Sequence, residues 1–359
     1  MTIGAGNDDV IRDARQEAPA AIAVYGASGH TGRFVLAELR RRDLPVIAIG
    51  RSAARLAPLD ANATRVAAFE DTDALDRALA GATVVINCAG SFLDTARPII
   101  EASLRQGASY LDVTAEQQSA RDTFDHYDEA ARRAGVKIVP AAGFFGGLAD
   151  LLARAATRGW RTVDCVRVGV ALDGWHPTQG TRSTGQRNQV PRVILSDGAL
   201  VTFEQPMSPD MWDFPAPFHR QEVATIPLSE IITIARDRRV ANVSSVMNLL
   251  PLSELRDPQT PEPIATDALG RSSQKFAVDI VVEGDGARHR ATATGQDIYA
   301  VTAPIVVEAA EHIFRKQTPP SSCGTFALGE LFEPQAFLRA VAARYPGFET
   351  ELIFEGAEK

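Results

Sequence analysis

This chain has fewer basic than acidic residues and few cysteines, and each shortage excludes a class of protein. Arginine carries almost all of the positive charge, because only four lysines occur among 359 residues, and the formal net charge is −8. Such a chain is unsuited to nucleic acid or an anionic membrane surface as its main partner. The three cysteines lie far apart in unlike contexts. That spacing fits neither a disulfide framework nor a metal cluster, and it indicates a reducing compartment.

Several catalytic motifs are also absent. None of the five tyrosines has a lysine four residues further on, so the Tyr-x-x-x-Lys pair of short-chain dehydrogenases is missing. The patterns H-E-x-x-H, C-x-x-C and G-x-S-x-G do not occur, and the six histidines are scattered, so we expect no metal site and no nucleophile elbow. No apolar run reaches the roughly 18 residues of a membrane span. Residues 1–18 lack the apolar segment of a signal peptide, and we expect a cytoplasmic protein.

The strongest positive signal lies in residues 21–50. An apolar, strand-like run turns through a glycine-rich segment, GASGHTG, into an amphipathic helix, and a second apolar run follows. Strand, glycine turn, helix and strand form the first unit of a dinucleotide-binding sheet, here with the spacing G-x-x-G-x-x-G. Glycines let the backbone approach a pyrophosphate, and the N–H groups at the helix start face the anion. The predicted diphosphate-binding residues are Gly26, Ser28, Gly29, His30, Thr31 and Gly32.

The end of the second strand predicts which dinucleotide binds. An acidic residue there would hold the ribose hydroxyls of NAD, whereas this chain has Arg51 and Ser52. A guanidinium can stack on adenine and contact a 2′-phosphate, so NADP is favoured over NAD. Asp71 follows the third strand, where contact with adenine and capping of the next helix are both open.

The fourth strand supplies the other half of the cofactor site. Residues 83–88 form a continuous run rich in β-branched side chains, as expected for a parallel strand that is covered on both faces. The strand runs into small residues, which would let the cofactor cross the edge of the sheet. We expect Cys88, Ala89, Gly90 and Phe92 to line this crossing, with Cys88 as a buried thiol rather than a nucleophile.

The order of predicted elements indicates an α/β fold with two domains. Strands and helices alternate over residues 20–147, which is typical of a doubly wound parallel sheet, a Rossmann domain. Longer strands with period-two alternation follow in residues 148–296, with hairpin signals at Asp197-Gly198 and at 284–286. They predict a second, α+β domain on a mixed or antiparallel sheet. Residues 297–359 should be helices that return to the first domain, and residues 1–19 a disordered tail.

Six segments resemble the saccharopine-dehydrogenase-like family, which includes the trans-acting enoyl reductases. In the first domain they are VYGASGHTGR at 24–33, INCAGSF at 86–92, GASYLDVTAE at 107–116 and VKIVPAAGF at 136–144. In the second they are QGTRST at 179–184 and the stretch at 230–250. The resemblance implies an NADP-binding Rossmann domain, a substrate domain and a cleft between them where hydride is transferred. Four residues depart from the family pattern. His30 and Ser91 should leave cofactor binding intact, whereas Phe145 and Ala149 stand where the family usually has polar residues and substrate would approach.

Hydride transfer requires a positioned cofactor and a proton donor, and three residues are candidates for the donor. His176 and Thr181 lie in a predicted loop rich in hydrogen-bond donors, and Tyr299 begins the helix that should return to the first domain. An exposed loop histidine, a turn threonine and a packed junction tyrosine are the alternatives. Asp112 and Glu116 could orient the nicotinamide ribose or a substrate amine, or cap the following helix.

These observations favour an NADPH-dependent reductase of a C=N or polarised C=C bond. Its substrate would be a small metabolite or a carrier-bound intermediate. Two other hypotheses stay open, a dinucleotide-binding regulator without catalysis and an isomerase or cyclase that retains its NADP. A homodimer is possible, because the second domain has a broad sheet.

Overall fold

A computed structural model of the chain describes residues 20–204, 210–319 and 321–355. The expected disordered tail, residues 1–19, lies outside this part. The strands are β1 (Ala21–Tyr25), β2 (Val46–Gly50), β3 (Ala63–Val66), β4 (Ala82–Asn87), β5 (Ser109–Asp112), β6 (Lys137–Val139), β7 (Val163–Leu172), β8 (Val193–Ser196), β9 (Ala199–Thr202), β10 (Asp210–Asp213), β11 (Arg220–Thr225), β12 (Val240–Asn248), β13 (Lys275–Gly284), β14 (Ala287–Gln296), β15 (Gly324–Thr325) and β16 (Glu349–Glu355). The helices are α1 (His30–Arg41), α2 (Ala53–Leu56), α3 (Thr72–Leu79), α4 (Phe92–Arg105), α5 (Gln117–Ala134), α6 (Ala149–Ala156), α7 (Gln179–Arg187), α8 (Ser229–Ile234), α9 (Leu249–Arg256), α10 (Ile298–Phe314), α11 (Leu328–Leu331) and α12 (Pro334–Arg344), with a π-helical turn at 144–148.

The first sheet has the predicted doubly wound topology. Its strand order is β15-β6-β5-β4-β1-β2-β3, and every neighbouring pair is parallel. The central strands β1 and β2 are buried along their whole length, because helices cover both faces of such a sheet. The order reverses between β1 and β4, and ligands of open α/β sheets bind at that point, outside the carboxyl ends of the strands.

The second sheet is mixed. Its main order is β10-β11-β12-β7-β13-β14-β16, in which β12 and β7 are parallel and the other neighbours are antiparallel. Both hairpin signals are present as tight turns, because Asp197-Gly198 and Asp285-Gly286 have positive φ at both residues. The predicted fold class, a Rossmann domain with a second domain on a mixed sheet, is confirmed.

Residues 297–359 were predicted to be helices, but their described part contains the strands β15 and β16 as well. The helix α10 packs against α1 and against β1, β4 and β5 of the first sheet. The short β15 then adds a strand beside β6, whereas β16 pairs with β14 at the edge of the second sheet. These pairings join residues far apart in the chain, and no local pattern encodes them.

A buried charge cluster joins α1 to α10. The Arg42 guanidinium pairs with Glu38 at 2.7 Å, Glu308 at 2.5 Å and Glu311 at 2.9 Å. The side chains of Arg42, Glu38 and Glu308 are each at most 5% exposed. The helix α10 is buried on nearly all sides, as expected for an apolar helix that lies between two layers. This cluster therefore holds the helix that carries Tyr299 against the Rossmann domain.

Candidate active site

The turn after β1 has the geometry of a phosphate-binding loop. Gly26 has a φ of +78°, and a Cβ atom there would lie 2.9 Å from the backbone nitrogen of Ala89. A Cβ atom on Gly32 would overlap the Gly26 carbonyl oxygen. Gly29 is the N-cap of α1 and offers no side chain, so the N–H groups of the first turn have no side-chain cap. Those donors and the helix dipole are available to an anion, and the turn fits a dinucleotide diphosphate.

Of the residues predicted at the adenosine end, Arg51 is exposed, whereas Ser52 and Asp71 cap helices. Arg51 is exposed just after β2, where it is accessible to a nucleotide phosphate. Ser52 is the N-cap of α2 and accepts a hydrogen bond from the N–H of Arg55 at 3.4 Å, while the Arg55 guanidinium donates to the Ser28 carbonyl at 3.3 Å. Asp71 caps α3 by accepting from a first-turn N–H at 2.9 Å. Capping therefore accounts for Asp71, and its contact with adenine stays a prediction.

Asn87, the last residue of β4, holds the turn that follows the strand. Its Oδ1 accepts from the N–H of Ala89 at 3.0 Å, and its Nδ2 lies 3.2 Å from both Thr95 Oγ1 and the Tyr110 hydroxyl. Burial raises the pKa of the Cys88 thiol to about 12, which fits a structural thiol. Asn87 was not predicted as a site residue, although a polar residue that ends an apolar strand was a usable signal.

Helix α7 of the second domain lies directly over this strand end. A Cβ atom on Gly90 would lie 2.7 Å from Thr184 Oγ1, and Phe92 begins α4 beside it. Arg187, at the end of α7, pairs with Asp94 of α4 at 2.6 Å. No residue of α7 is buried, so polar contacts hold this helix above the predicted nicotinamide position.

The Glu116 carboxylate, which lies just before α5, binds the start of α4. It is buried, and it accepts from the N–H of Phe92 at 2.7 Å, the N–H of Leu93 at 3.2 Å and the Ser91 hydroxyl at 3.3 Å. It thereby caps the start of α4. The capping alternative stated from the sequence was a different helix, the one that follows Glu116 in the chain, which is α5. The bond crosses 24 residues of chain, so only the folded sheet brings the carboxylate to that helix.

Asp112 ties the ends of β5 and β6 together. Its carboxylate accepts from the Tyr110 hydroxyl at 2.9 Å, the N–H of Ala141 at 2.8 Å and the N–H of Thr114 at 3.1 Å. Burial raises the pKa of Asp112 from 3.8 to about 6, and the hydrogen bonds only partly offset this effect. Protein groups thus occupy both carboxylate oxygens.

The raised pKa of Asp112 predicts a pH-dependent effect of Asp112→Asn. Between about pH 4 and pH 6 the folded protein holds a proton on Asp112 that the unfolded chain has lost, so this group lowers stability as pH rises, by up to about 3 kcal/mol. The variant cannot ionise, and at any pH it loses only the acceptor of Tyr110. Urea unfolding at pH 4.5 and 7.5 should show the variant gaining stability relative to the wild type at the higher pH. A difference that is the same at both pH values would contradict this.

Two of the three predicted proton donors meet at the domain boundary. The hydroxyls of Tyr299 and Thr181 are 2.9 Å apart, and the indole N–H of Trp175 donates to Tyr299 at 2.9 Å. The N–H of Thr178 is 3.4 Å from the same phenolic oxygen. Burial raises the pKa of Tyr299, so the phenol is protonated at neutral pH. The side chain of His176 is exposed, and it takes no part in the hydrogen bonds of this cluster.

The aromatic ring of His30 connects the glycine turn to this cluster. It lies edge-on to Tyr299, with ring centroids 5.2 Å apart, and edge-on to Phe34 at 5.3 Å. Burial lowers the pKa of His30, so the imidazole is neutral at neutral pH, and its buried Nε2 has no hydrogen-bond partner. The His30 ring therefore places the phosphate-binding turn in direct contact with Tyr299, the candidate proton donor.

These elements define a two-domain nucleotide-binding protein, with a Rossmann domain facing a mixed-sheet domain. Residues 22–139 match the family model described as the saccharopine dehydrogenase NADP binding domain. The predicted resemblance is confirmed, and NADP is the cofactor of this domain. In the described residues, no three His, Cys, Asp or Glu side chains are arranged to hold a metal ion, and no helix is long and apolar enough to cross a membrane.

Known proteins resemble both the sequence of the first domain and the fold of the chain. A saccharopine dehydrogenase-like oxidoreductase of Bos taurus is 31% identical over 160 residues, which is 38% of this chain and 37% of that protein. A trans-acting enoyl reductase of Mycobacterium ulcerans is 30% identical over 140 residues, covering 36% of this chain and 34% of its own. The chain thus spans little more than a third of the curated relatives that it matches.

A solved structure shows the same overall fold. The apo saccharopine dehydrogenase (L-Glu forming) of Saccharomyces cerevisiae superposes with a TM-score of 0.65 at 13% identity. The match covers 94% of this chain and 100% of the yeast chain, so it includes both domains. At that identity the likeness shows the fold alone.

Proposed function

We propose that this protein is an NADPH-dependent reductase of a C=N or polarised C=C bond, in a small metabolite or a carrier-bound intermediate. The observation that carries the proposal is the half-buried Tyr299, whose hydroxyl a second-domain cluster holds beside the cofactor turn. The NADP-binding domain and the relatives named as oxidoreductases support it.

The residues of this site fit NADP, and each group of residues would have a separate role in binding or in proton transfer. The glycine turn would hold the diphosphate, Arg51 the adenosine end, and the small residues after β4 the nicotinamide end. Bound NADPH supplies a hydride. Tyr299 would give its phenolic proton to the substrate atom that becomes electron-rich, because burial keeps this phenol protonated. Thr181 and the indole of Trp175 then stabilise the phenolate oxygen by donating to it.

The Tyr299→Phe variant tests this role. It removes the proton donor and the acceptor of the Trp175 and Thr178 N–H groups, while keeping the ring packed against His30. We expect kcat to fall by about a hundredfold with NADPH affinity nearly unchanged, because general acids contribute at least that factor. The assay measures deuterium transfer from labelled NADPH to a panel of imines and enoyl thioesters.

Two results of this assay would count against the proposal. One is a panel that the wild type does not reduce at all, and the other is product formation without net NADPH oxidation, as an isomerase would show. Tyr127→Phe, which removes a hydroxyl that donates to Glu101 at 3.4 Å, serves as the matched control and should retain its activity.

We further propose a cytoplasmic protein that forms a homodimer. The dimer is supported by β16, an edge strand of the second sheet on which Ile353 is 37% and Phe354 60% exposed. Edge strands with exposed apolar side chains readily pair with another chain. Sedimentation velocity of the wild type tests this, and a monomer at micromolar concentration would exclude it.

A further inference from the structure

An aromatic side chain, Phe145, lies beside the candidate proton donor at the edge of the first sheet. Its ring packs on that of Trp175, with centroids 5.9 Å apart, and the Trp175 indole donates to the Tyr299 hydroxyl at 2.9 Å. The N–H of Phe144 donates to Thr302 Oγ1 at 3.3 Å, and Thr302 lies about one turn after Tyr299 on α10. Two separate contacts therefore hold Phe145 next to the group that carries the proton donor.

Phe145 keeps part of its ring exposed at the edge of the sheet where ligands bind. It belongs to the π-helical turn at 144–148, which follows β6 and so lies beyond the carboxyl ends of the parallel strands. Single π-helical turns are frequent at functional sites. Phe145 is half-buried, whereas its chain neighbours Phe144 and Gly146 are buried. The ring therefore offers an aromatic surface that an apolar ligand could cover.

A second apolar side chain lies at the same edge. Val113 directly follows β5 and is half-buried. A Cβ atom on Gly143, the residue before the π-helical turn, would lie 3.2 Å from the Cβ atom of Val113. The ends of β5 and β6 thus continue into apolar side chains, and β4 continues into the small residues 88–90.

The acidic side chains at this edge are not available to a charged substrate amine. Asp112 and Glu116 are both buried, and each carboxylate already accepts hydrogen bonds from three protein groups. A cationic group beside Phe145 would therefore lack a free carboxylate partner from β5 or from the segment that follows it.

The groups that contact Tyr299 carry no positive charge that could pair with a substrate carboxylate. They are the hydroxyl of Thr181, the indole of Trp175 and the neutral ring of His30. Glu254 adds negative charge, because it accepts from the backbone N–H of Trp175 at 2.5 Å. A carboxylate withdrawn from water without a cation is costly.

The two arginines of α7 are directed to other partners. Arg182 donates to the carbonyls of Asp257 at 3.3 Å and Thr260 at 2.6 Å. Arg187 pairs with Asp94 of α4 at 2.6 Å. The surroundings of the candidate proton donor are therefore aromatic and uncharged on the side of Phe145.

We propose that Phe145 is a specificity-determining residue, whose ring contacts an uncharged, apolar group on the carbon that accepts the hydride. Trp175 and Val113 would contact the same group. The substrate class is then an uncharged imine or polarised alkene with an apolar substituent. α-Imino acids are excluded, because they carry a carboxylate at that position. This inference names the substrate class of the proposed reaction and therefore rests on the proposed function.

Two pairs of probes, each differing only in the substituent on the reacting carbon, test this inference. The imines are 2-phenyl-1-pyrroline and 1-pyrroline-2-carboxylate, and the enones are benzylideneacetone and acetylacrylate. Calorimetry measures the binding of each probe to the full chain loaded with NADP. We expect a phenyl probe to bind at least about tenfold more tightly than its carboxylate partner, because an unpaired carboxylate is costly whereas the phenyl ring gains aromatic contacts.

Variants of Phe145 test whether this residue sets the preference. Phe145→Ala should weaken binding of the phenyl probe by about tenfold and leave the carboxylate probe nearly unchanged. Phe145→Leu keeps a large apolar side chain and should retain most of the preference. The control is Phe332→Ala, which removes another half-buried ring, packed on Phe337 at 5.2 Å, and should bind both probes as the wild type does. NADPH affinity, measured in the same samples, reports on the fold and should not change.

The outcomes separate this inference from the proposed function. A carboxylate probe that binds as tightly as its phenyl partner would overturn the inference, as would equal binding of the phenyl probe by the wild type and Phe145→Ala. Failure of both phenyl probes to bind at about 1 mM would overturn it too. Reduction of the carboxylate probes alone would support the proposed function and refute this inference. A wild type that binds NADPH and a phenyl probe, but transfers no deuterium from labelled NADPH to any probe, would refute the proposed function alone.

Discussion

Replacing Gly26 by valine should reduce NADPH affinity by about a thousandfold or more, which corresponds to roughly 4 kcal/mol. Gly26 has a φ of +78°, and a Cβ atom there would meet the backbone of Ala89 at 2.9 Å and of Cys88 at 3.0 Å. A β-branched side chain is strained at this φ and cannot be accommodated by moving a flexible neighbour. The turn must therefore shift away from β4, and its N–H groups no longer converge on the diphosphate. Fluorescence titration with NADPH measures the loss.

Gly107→Val is the matched control for this experiment. Gly107 also has a positive φ, +65°, but a Cβ atom there would have no neighbour within 4 Å. The control should lose stability through the same backbone strain while it binds NADPH as the wild type does. Equal NADPH affinities of the two variants, or a Gly26→Val protein that binds normally, would show that the turn does not hold the cofactor.

A second substitution tests the adenosine end separately. Arg51→Ala should weaken NADPH binding by about tenfold and leave NADH binding nearly unchanged, because one exposed charge-assisted contact to the 2′-phosphate is lost. Dissociation constants for both nucleotides provide the comparison. An equal loss for NADPH and NADH would mean that Arg51 contacts a group that the two nucleotides share.

Replacing Arg42 by methionine should destabilise the protein by about 3–5 kcal/mol. The substitution removes the buried cation that Glu38 and Glu308 share. Their remaining arginine partners, Arg41 and Arg344, are half-exposed and compensate them less well, whereas Glu311 is more exposed and can be hydrated. Methionine fills a similar volume, so the loss of charge pairing dominates over a cavity. Urea denaturation followed by circular dichroism measures the free energy of unfolding.

Arg40→Met provides the comparison on the same helix. Its side chain is 38% exposed and pairs with Asp60, itself 81% exposed, so we expect a loss of at most about 1 kcal/mol. Neutralising both acids, in Arg42→Met with Glu38→Gln and Glu308→Gln, should recover a large part of the stability. If the triple variant is no more stable than Arg42→Met, the loss does not come from unpaired charge.

Local signals predicted much of the fold and the cofactor side of the site. The glycine turn was recognisable because its strand, turn and helix are consecutive in the chain, and both Asp-Gly turns follow from local φ preferences. The helix predicted to begin near Tyr299 is α10, and a continuous apolar pattern of this kind can be recognised without knowing its distant partner. The short β15 and the edge strand β16 were not predicted, since their partners lie far away in sequence.

The residues on the substrate side of the site could not be predicted as a group, because contacts that no local pattern encodes bring them together. Tyr299 and Thr181 are 118 residues apart, and nothing near either residue indicates that their hydroxyls meet. Trp175 and Thr178, which complete the cluster, were not singled out from the sequence. Glu116 was considered as a ligand or a cap, but its partner helix became clear only from the sheet.

The sequence by itself determined the Rossmann domain and its NADP turn, because both depend on backbone geometry that adjacent residues specify. The tertiary structure alone decided which side chains converge at the domain boundary, and that α7 covers Gly90. The physical reason is that hydrophobic periodicity records which face of an element is buried, but not which distant element buries it.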